Sequence, residues 1–247
     1  MIKAKERPII FSTPLIPSIQ NLKPDTWPPE PIDPGKPWKW QTRRIIKAPV
    51  LSEVRQPDEV IFDGNVCEFA WHGNDVAGGF KIKCPYPPGT RLWVKETWQE
   101  GYNPDNIDKN GDIPLGYCYK ASDHDISAEF SLGRWRSPRF MPKAAARLWL
   151  EVRNVRVERV QGITEEDVTA EGLPYRQSIS NSPISTPADG KWYWGFPTPS
   201  WNGGIDWVYT TNAKEAYKEL WNPLNAKRGY PWENNDWVWV YEFMRIE

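Results

Sequence analysis

A lysine, a threonine and two arginines crowd one short stretch, "KPWKWQTRR", Lys36 to Arg44. Lys39 precedes Thr42 by three residues and sits between Trp38 and Trp40. A threonine hydroxyl is a poor nucleophile until a base takes its proton, and lysine is that base only when neutral. Burial among Trp38 and Trp40, with Arg43 and Arg44 as neighbouring like charges, pushes an ammonium toward neutrality. In a fully extended chain the two Cα atoms lie ~10 Å apart. A turn at Trp40-Gln41, or the reach of the lysine stem, closes that gap. The plain alternative is a basic strand in which the tryptophans pack and Lys39 faces water.

A second candidate is Glu171, in "ITEEDVTAEGL". Thr164 caps this short helix, Asp167 stands three residues on in a capping-box position, and Gly172 ends it. Glu171 thus lies in the last turn, where the helix dipole disfavours an anion by ~0.3–1 kcal/mol. A residue kept for another purpose fits that placement, and so does an ordinary surface glutamate. Further candidates are weaker. "RWRSPRFMPK" interleaves Arg134, Arg136, Arg139 and Lys143 with Trp135 and Phe140, a composition suited to bases and phosphates. It equally fits a loop with solvated arginines, or arginines paired with acids such as Glu129. Lys95 and Glu96 face opposite ways on one strand, so one points inward; an inward Glu96 is either a second acid near the site or a satisfied buried charge. Arg153, Arg156 and Arg159 read as mostly exposed beside Glu151 and Glu158. Cys84 reads as a buried structural thiol.

These residues need a scaffold. "RPIIF" (7–11) reads as a strand, followed by a short helix capped by Ser12 or Thr13. The proline-rich run 22–37 excludes a regular element. "TRRIIK" (42–47) reads as a strand, and three short strands between 59 and 83 as a meander. Residues 91–96 and "GYCYKA" are further strands. From Arg147 to Val160 the apolar alternation changes phase at Arg153-Asn154, which predicts one long strand with a bulge. Residues 174–204 read as an irregular insertion. "TTNAKEAYKELWNPL" is an amphipathic helix capped by Thr211 or Asn212, with Ala216, Leu220 and Leu224 on one face. "DWVWVYEFMRI" is bulky on both faces and so predicts a central strand. The sum is an α+β chain: a small mixed barrel with helices packed outside, one domain over 1–247, with insertions about 22–37, 50–85 and 174–207.

Composition narrows the function. The 247 residues are 39% hydrophobic with 16 Trp, enough for a substantial core, and the 25 Pro predict long irregular segments. A net charge of -1 leaves only a local basic patch to hold nucleic acid. No apolar run approaches a membrane span, and the start carries no secretory pattern. Three scattered cysteines fit a reducing, cytoplasmic setting rather than a disulfide framework. Neither their spacing nor that of His72 and His124 predicts a metal site.

"RPIIFSTP", "KWQTRR", "CPY…PGTRLWVKETW", "ITEEDVTAEG" and the closing "WVWVYEFMRI" resemble, in order, phage-type ASCH-domain proteins. That resemblance implies a PUA-like β-barrel and a link to RNA. The resemblance extends to small bacterial N4-acetylcytidine amidohydrolases, which use a lysine, a threonine three residues later and a helical glutamate. It implies Lys39 as general base, Thr42 as nucleophile and Glu171 as a supporting glutamate that positions Lys39 or relays the proton. Arg44, with Arg43 and Trp40, would bind substrate, and no cofactor is implied. The family's glycine two residues before the lysine is Pro37 here. The implied partner is an acylated nucleoside or modified RNA. The other function the resemblance allows is an RNA or single-stranded nucleic-acid binding module, or an RNA-cleaving protein.

Overall fold

The computed structural model describes residues 5–11, 15–33, 36–47, 57, 59–71, 78–102, 109, 111, 115–121, 134–177, 191–199 and 205–246. The first strands are β1 (Glu6–Ile10), β2 (Gln41–Ile45), β3 (Glu59–Phe62), β4 (Val66–Trp71) and β5 (Gly78–Lys83). Then follow β6 (Arg91–Lys95), β7 (Trp98–Tyr102), β8 (Leu115–Tyr119) and β9 (Trp149–Arg159). The last are β10 (Tyr175–Gln177), β11 (Trp192–Pro199), β12 (Ile205–Thr210) and β13 (Trp237–Arg245). Among the described residues they are accompanied by the α-helices α1 (Ile16–Gln20), α2 (Glu165–Ala170) and α3 (Ala213–Asn225).

The organising element is a five-stranded sheet in the order β1-β6-β9-β13-β2. The β1–β6 pair is parallel and the others are antiparallel. β13 lies between β9 and β2, and its alternation explains why. Trp239, Tyr241 and Phe243 enter one core with Leu92, Val94, Leu150 and Val152. Val238 and Val240 enter a second core with Val168, Ala216, Leu220 and Trp221, under α2 and α3. A strand that feeds two cores must be apolar on both faces. The bulge falls where the phase change predicts it. Glu242 pairs with Asn154 and Phe243 with Val152, so Arg153 is passed over.

The sheet does not close into the expected barrel. Among the described residues, several small sheets and no closed barrel make up an α+β architecture. The two outer strands, β1 and β2, have no backbone ladder between them. One side chain spans the gap: Arg44 Nη2 on β2 donates to Ile10 O on β1 at 2.6 Å.

Three other expectations need revision. Residues 174–207 are not irregular throughout: β10, β11 and β12 form a three-stranded antiparallel sheet that runs on to Thr210. Leu15, with no side-chain bond, stands at the N-cap of α1; Ser12 and Thr13 lie outside the described residues. Leu224 is 47% exposed, unlike Ala216 and Leu220. The meander β3–β5 and the Asn212 cap of α3 are as read.

Candidate active site

The proline-rich detour delivers Lys39 to its place. Asn21, at the end of α1, staples it: Nδ2 donates to the carbonyls of Asp33, Lys36 and Pro37, and Oδ1 accepts from Asp33 N–H. Lys39 N–H then donates to Ser18 O at 2.9 Å, and Trp40 N–H to Ala170 O at 3.0 Å. The chain is thereby pinned between α1 and the end of α2 before β2 begins. Gly172 permits the contact. Its φ is +87°, and a Cβ there would stand 2.7 Å from Lys39 Cβ and 3.2 Å from Ser18 Cβ. Only glycine satisfies both the left-handed backbone and the approach.

Lys39 is 1% exposed. Its Nζ donates to Glu171 Oε2 at 2.6 Å, to Glu171 O at 2.7 Å and to Gln41 O at 2.7 Å. The last contact matters for position, because that carbonyl belongs to the peptide bond leading into Thr42. Burial lowers the Lys39 pKa to about 8. The Glu171 carboxylate opposes that shift, and Arg44 and Arg43 add to it. The direction agrees with the sequence argument, but the wall differs. Trp38 and Trp40 pack against each other at 6.5 Å, and Trp27 meets Trp40 edge-on. The ammonium lies over the Phe11 ring, 5.6 Å from its centre.

Glu171 is the C-cap residue of α2, and its carboxylate turns inward to 3% exposure. Besides Lys39 it receives Arg43 Nη1 at 3.4 Å and the Tyr217 hydroxyl at 3.4 Å. These donors outweigh the small dipole penalty. Burial first, then the Glu171 charge, pushes the Tyr217 phenol well above its ordinary value. Arg43 continues the network to Glu158 at 2.5 Å and Asp167 at 2.8 Å. Burial acts against its charge, yet Tyr217, Glu171, Asp167 and Glu158 together hold it more firmly protonated than a free arginine. Burial likewise raises Asp167, but Arg43, Gln41 and Arg156 outweigh it and its pKa falls. Arg156 joins Asp167 at 2.5 Å and also reaches Glu158 and Glu242. It belongs to this network, contrary to its reading as a mostly exposed residue.

Lys39, Thr42, Arg43, Arg44 and Glu171 all line one cavity of about 1030 Å³, which also takes in Tyr217. It occupies the space between the two unpaired edges of the main sheet, with Ile10 and Phe11 on one side and Thr42 to Ile45 on the other. Thr42 is 4% exposed, and among the described residues its hydroxyl has no hydrogen-bond partner. Lys39 therefore does not hold Thr42 in this state; its three protons go to Glu171 and Gln41. Arg44 is half-buried over Phe11, its guanidinium carbon 5.2 Å from the ring centre, and burial lowers its pKa. Trp40 does not line the cavity, because its ring is turned to Trp27 and Trp38.

Glu96 points inward but away from this site. Arg147 grips it through two bonds of 2.9 Å, and neither residue lines the cavity. Of the "RWRSPRF" stretch, Arg139 lines the cavity, whereas Arg136 stacks on Trp98 and pairs with Glu100. Lys143 pairs with Glu6. His72, His124 and Glu129 lie outside the described residues. Among the described residues, no three His, Cys, Asp or Glu side chains are grouped to hold a metal. Burial pushes the Cys84 thiol up, as suits a structural cysteine. No helix among the described residues is long and apolar enough to cross a membrane.

Tyr217 and Phe11 were missed from sequence. Tyr217 carried a signal, because it falls on the apolar stripe of α3 with Ala213, Ala216, Leu220 and Trp221. A tyrosine on such a stripe needs a partner for its hydroxyl. No protein-family model, curated protein or solved structure matches this chain.

Proposed function

We propose that the protein is an amidohydrolase that removes an acyl group from the exocyclic amine of an N4-acylated cytidine or a related acylated nucleobase. One observation carries the reading. A lysine with its pKa lowered to about 8, a threonine whose hydroxyl has no hydrogen-bond partner among the described residues and a glutamate 132 residues from the lysine line one concave site. The Lys-x-x-Thr-x-Arg spacing and the helical glutamate, which resemble ASCH-domain amidohydrolases with a PUA-like fold, supply the substrate class.

The chemistry follows from the contacts. At pH 7 roughly a tenth of Lys39 is neutral, given a pKa of about 8. Glu171, 2.6 Å away, is placed to take the departing proton. The neutral amine turns to Thr42 and removes the hydroxyl proton. Thr42 Oγ attacks the acyl carbon. The tetrahedral intermediate collapses, the C–N bond breaks, and the proton returns to the leaving amine. Water then attacks the threonyl ester, releasing the carboxylic acid and restoring the hydroxyl. Tyr217 and Arg43 hold the Glu171 carboxylate at its other oxygen, which fixes its direction. Arg44, which lines the same cavity, holds the substrate in this reading.

The test is hydrolysis of N4-acetylcytidine followed by absorbance. Thr42→Ala and Lys39→Ala are expected to abolish turnover while leaving a folded chain. Turnover that survives either substitution removes this mechanism. The other reading, a nucleic-acid binding module without turnover, draws on Arg139 at the cavity and predicts salt-dependent retention of an RNA pool.

A further inference from the structure

We infer that the ligand of this cavity carries a phosphate ester, received by Arg44 together with the rim cations Lys47, Lys95, Arg139 and Arg228. This rests on the hydrolase reading and names its substrate class: an acylated cytosine nucleotide, free or within a single strand, rather than an uncharged nucleoside.

The charge balance of the cavity carries the argument. The chain as a whole has a net charge of -1. Of the described residues that line the cavity, Lys39, Arg43, Arg44, Lys47, Lys95, Arg139 and Arg228 are cationic, and Glu171 is the sole carboxylate. Glu171 is already engaged by Lys39 and Arg43, and Arg43 is further balanced by Glu158 and Asp167. The other five have no carboxylate within ion-pair distance among the described residues. Their contacts are with neutral acceptors: Arg44 with Ile10 O, Lys95 with Arg139 O, and Arg228 with Asn225 Oδ1. Those contacts orient the cations without offsetting their charge.

Position concentrates the effect. A concave site with low-dielectric walls focuses the field of its charges. Here the walls include Phe11, Trp221, Trp239 and Tyr241, which also offer faces to a base. Arg44 adds direction. Its Nε is buried with no hydrogen-bond partner, and of its N–H groups only one, on Nη2, finds an acceptor among the described residues. A guanidinium with unused donors suits a phosphate, which accepts two parallel bonds from the fork. A volume of about 1030 Å³ is at the upper end for small-molecule sites and accommodates a base, a sugar and a phosphate.

The experiment is calorimetric titration of the full chain with cytidine, cytidine 5′-monophosphate and tricytidylate, at low and moderate salt. The phosphorylated probes are expected to bind at least about tenfold tighter than cytidine, with that preference shrinking as salt rises. Arg44→Gln and, separately, Arg139→Gln should reduce the preference to about threefold or less, and Arg44→Lys should restore part of it. Arg139 and Arg228 are exposed, so Arg139→Gln and Arg228→Gln carry the test if Arg44→Gln does not fold. Tricytidylate binding tighter and with the steeper salt dependence points to a strand; equal binding points to a mononucleotide. Equal affinity for cytidine and its monophosphate, a preference that survives the substitutions, or binding of none of the probes overturns the inference. Nucleotide binding without hydrolysis of the N4-acetylated nucleotide sinks the hydrolase reading alone. Hydrolysis of N4-acetylcytidine without a phosphate preference sinks this one alone.

Discussion

Two buried carboxylates in this protein have opposite surroundings. Glu96 and Glu171 are 1% and 3% exposed, and each meets a cation. Glu96 is held by both arms of Arg147, whose guanidinium lies 4.1 Å from the centre of the Tyr119 ring. An arginine keeps its charge at any working pH, so this pair is a fixed tie between β6 and the start of β9. Glu171 meets a lysine instead, at the wall of a cavity that Thr42 also lines. Burial alone therefore does not mark a reactive pair. What sets the proposed pair apart is a cation whose pKa burial lowers to about 8, on a cavity that the Thr42 alcohol also lines.

Mutations sharpen that contrast. Arg147→Met strands the Glu96 carboxylate in an apolar cluster and is expected to cost ~3–5 kcal/mol in urea denaturation. Gly172→Ala combines a positive φ with a 2.7 Å approach to Lys39 Cβ, so a loss of about 2–4 kcal/mol is expected. Lys39→Met is expected to cost less, ~1–3 kcal/mol, because Glu171 keeps Arg43 and Tyr217 as donors. If Lys39→Met proves as damaging as Arg147→Met, the two pairs are equivalent structural ties and the contrast fails.

Stability against pH gives a finer distinction. The Lys39 pKa is about 8 in the folded chain and near 10.5 when unfolded, so between those values the unfolded chain binds more protons. Stability contributed by Lys39 therefore rises from pH 8 to 10.5 and is lost as pH falls through 8. The wild-type chain should gain on Lys39→Met across that window, by on the order of 3 kcal/mol at full titration. A flat difference in denaturation midpoints would break the assignment.

The parts of the fold written in local punctuation were legible from sequence. The Thr164–Asp167 capping box forms as read, with Thr164 Oγ1 accepting from Asp167 N–H and Asp167 Oδ2 accepting from Thr164 N–H. The phase change at Arg153 located the bulge, and the two bulky faces of β13 located the sheet centre. Long-range geometry was not legible. Nothing near Tyr217 says that its hydroxyl meets Glu171, 46 residues away. Nor does the sequence around Trp40 say that its ring turns to Trp27 and Trp38 while Phe11, just past β1, lines the cavity and lies under the Lys39 ammonium. The strands β11 and β12 were hidden because Gly195, Pro197 and Pro199 read as loop chemistry. Gly195 instead lies where a Cβ would stand 2.8 Å from the Tyr209 ring, on the strand paired with it.

The hydrolase mechanism proposed for this site depends on Lys39 losing its proton near neutrality. Lysines labelled with carbon-13 at Cε report their own titration by NMR, and the Lys39 signal is the one absent from Lys39→Met. That signal is expected to titrate with a midpoint near 8, well below those of the surface lysines. A Lys39 signal that stays charged up to pH 10 and above would contradict it.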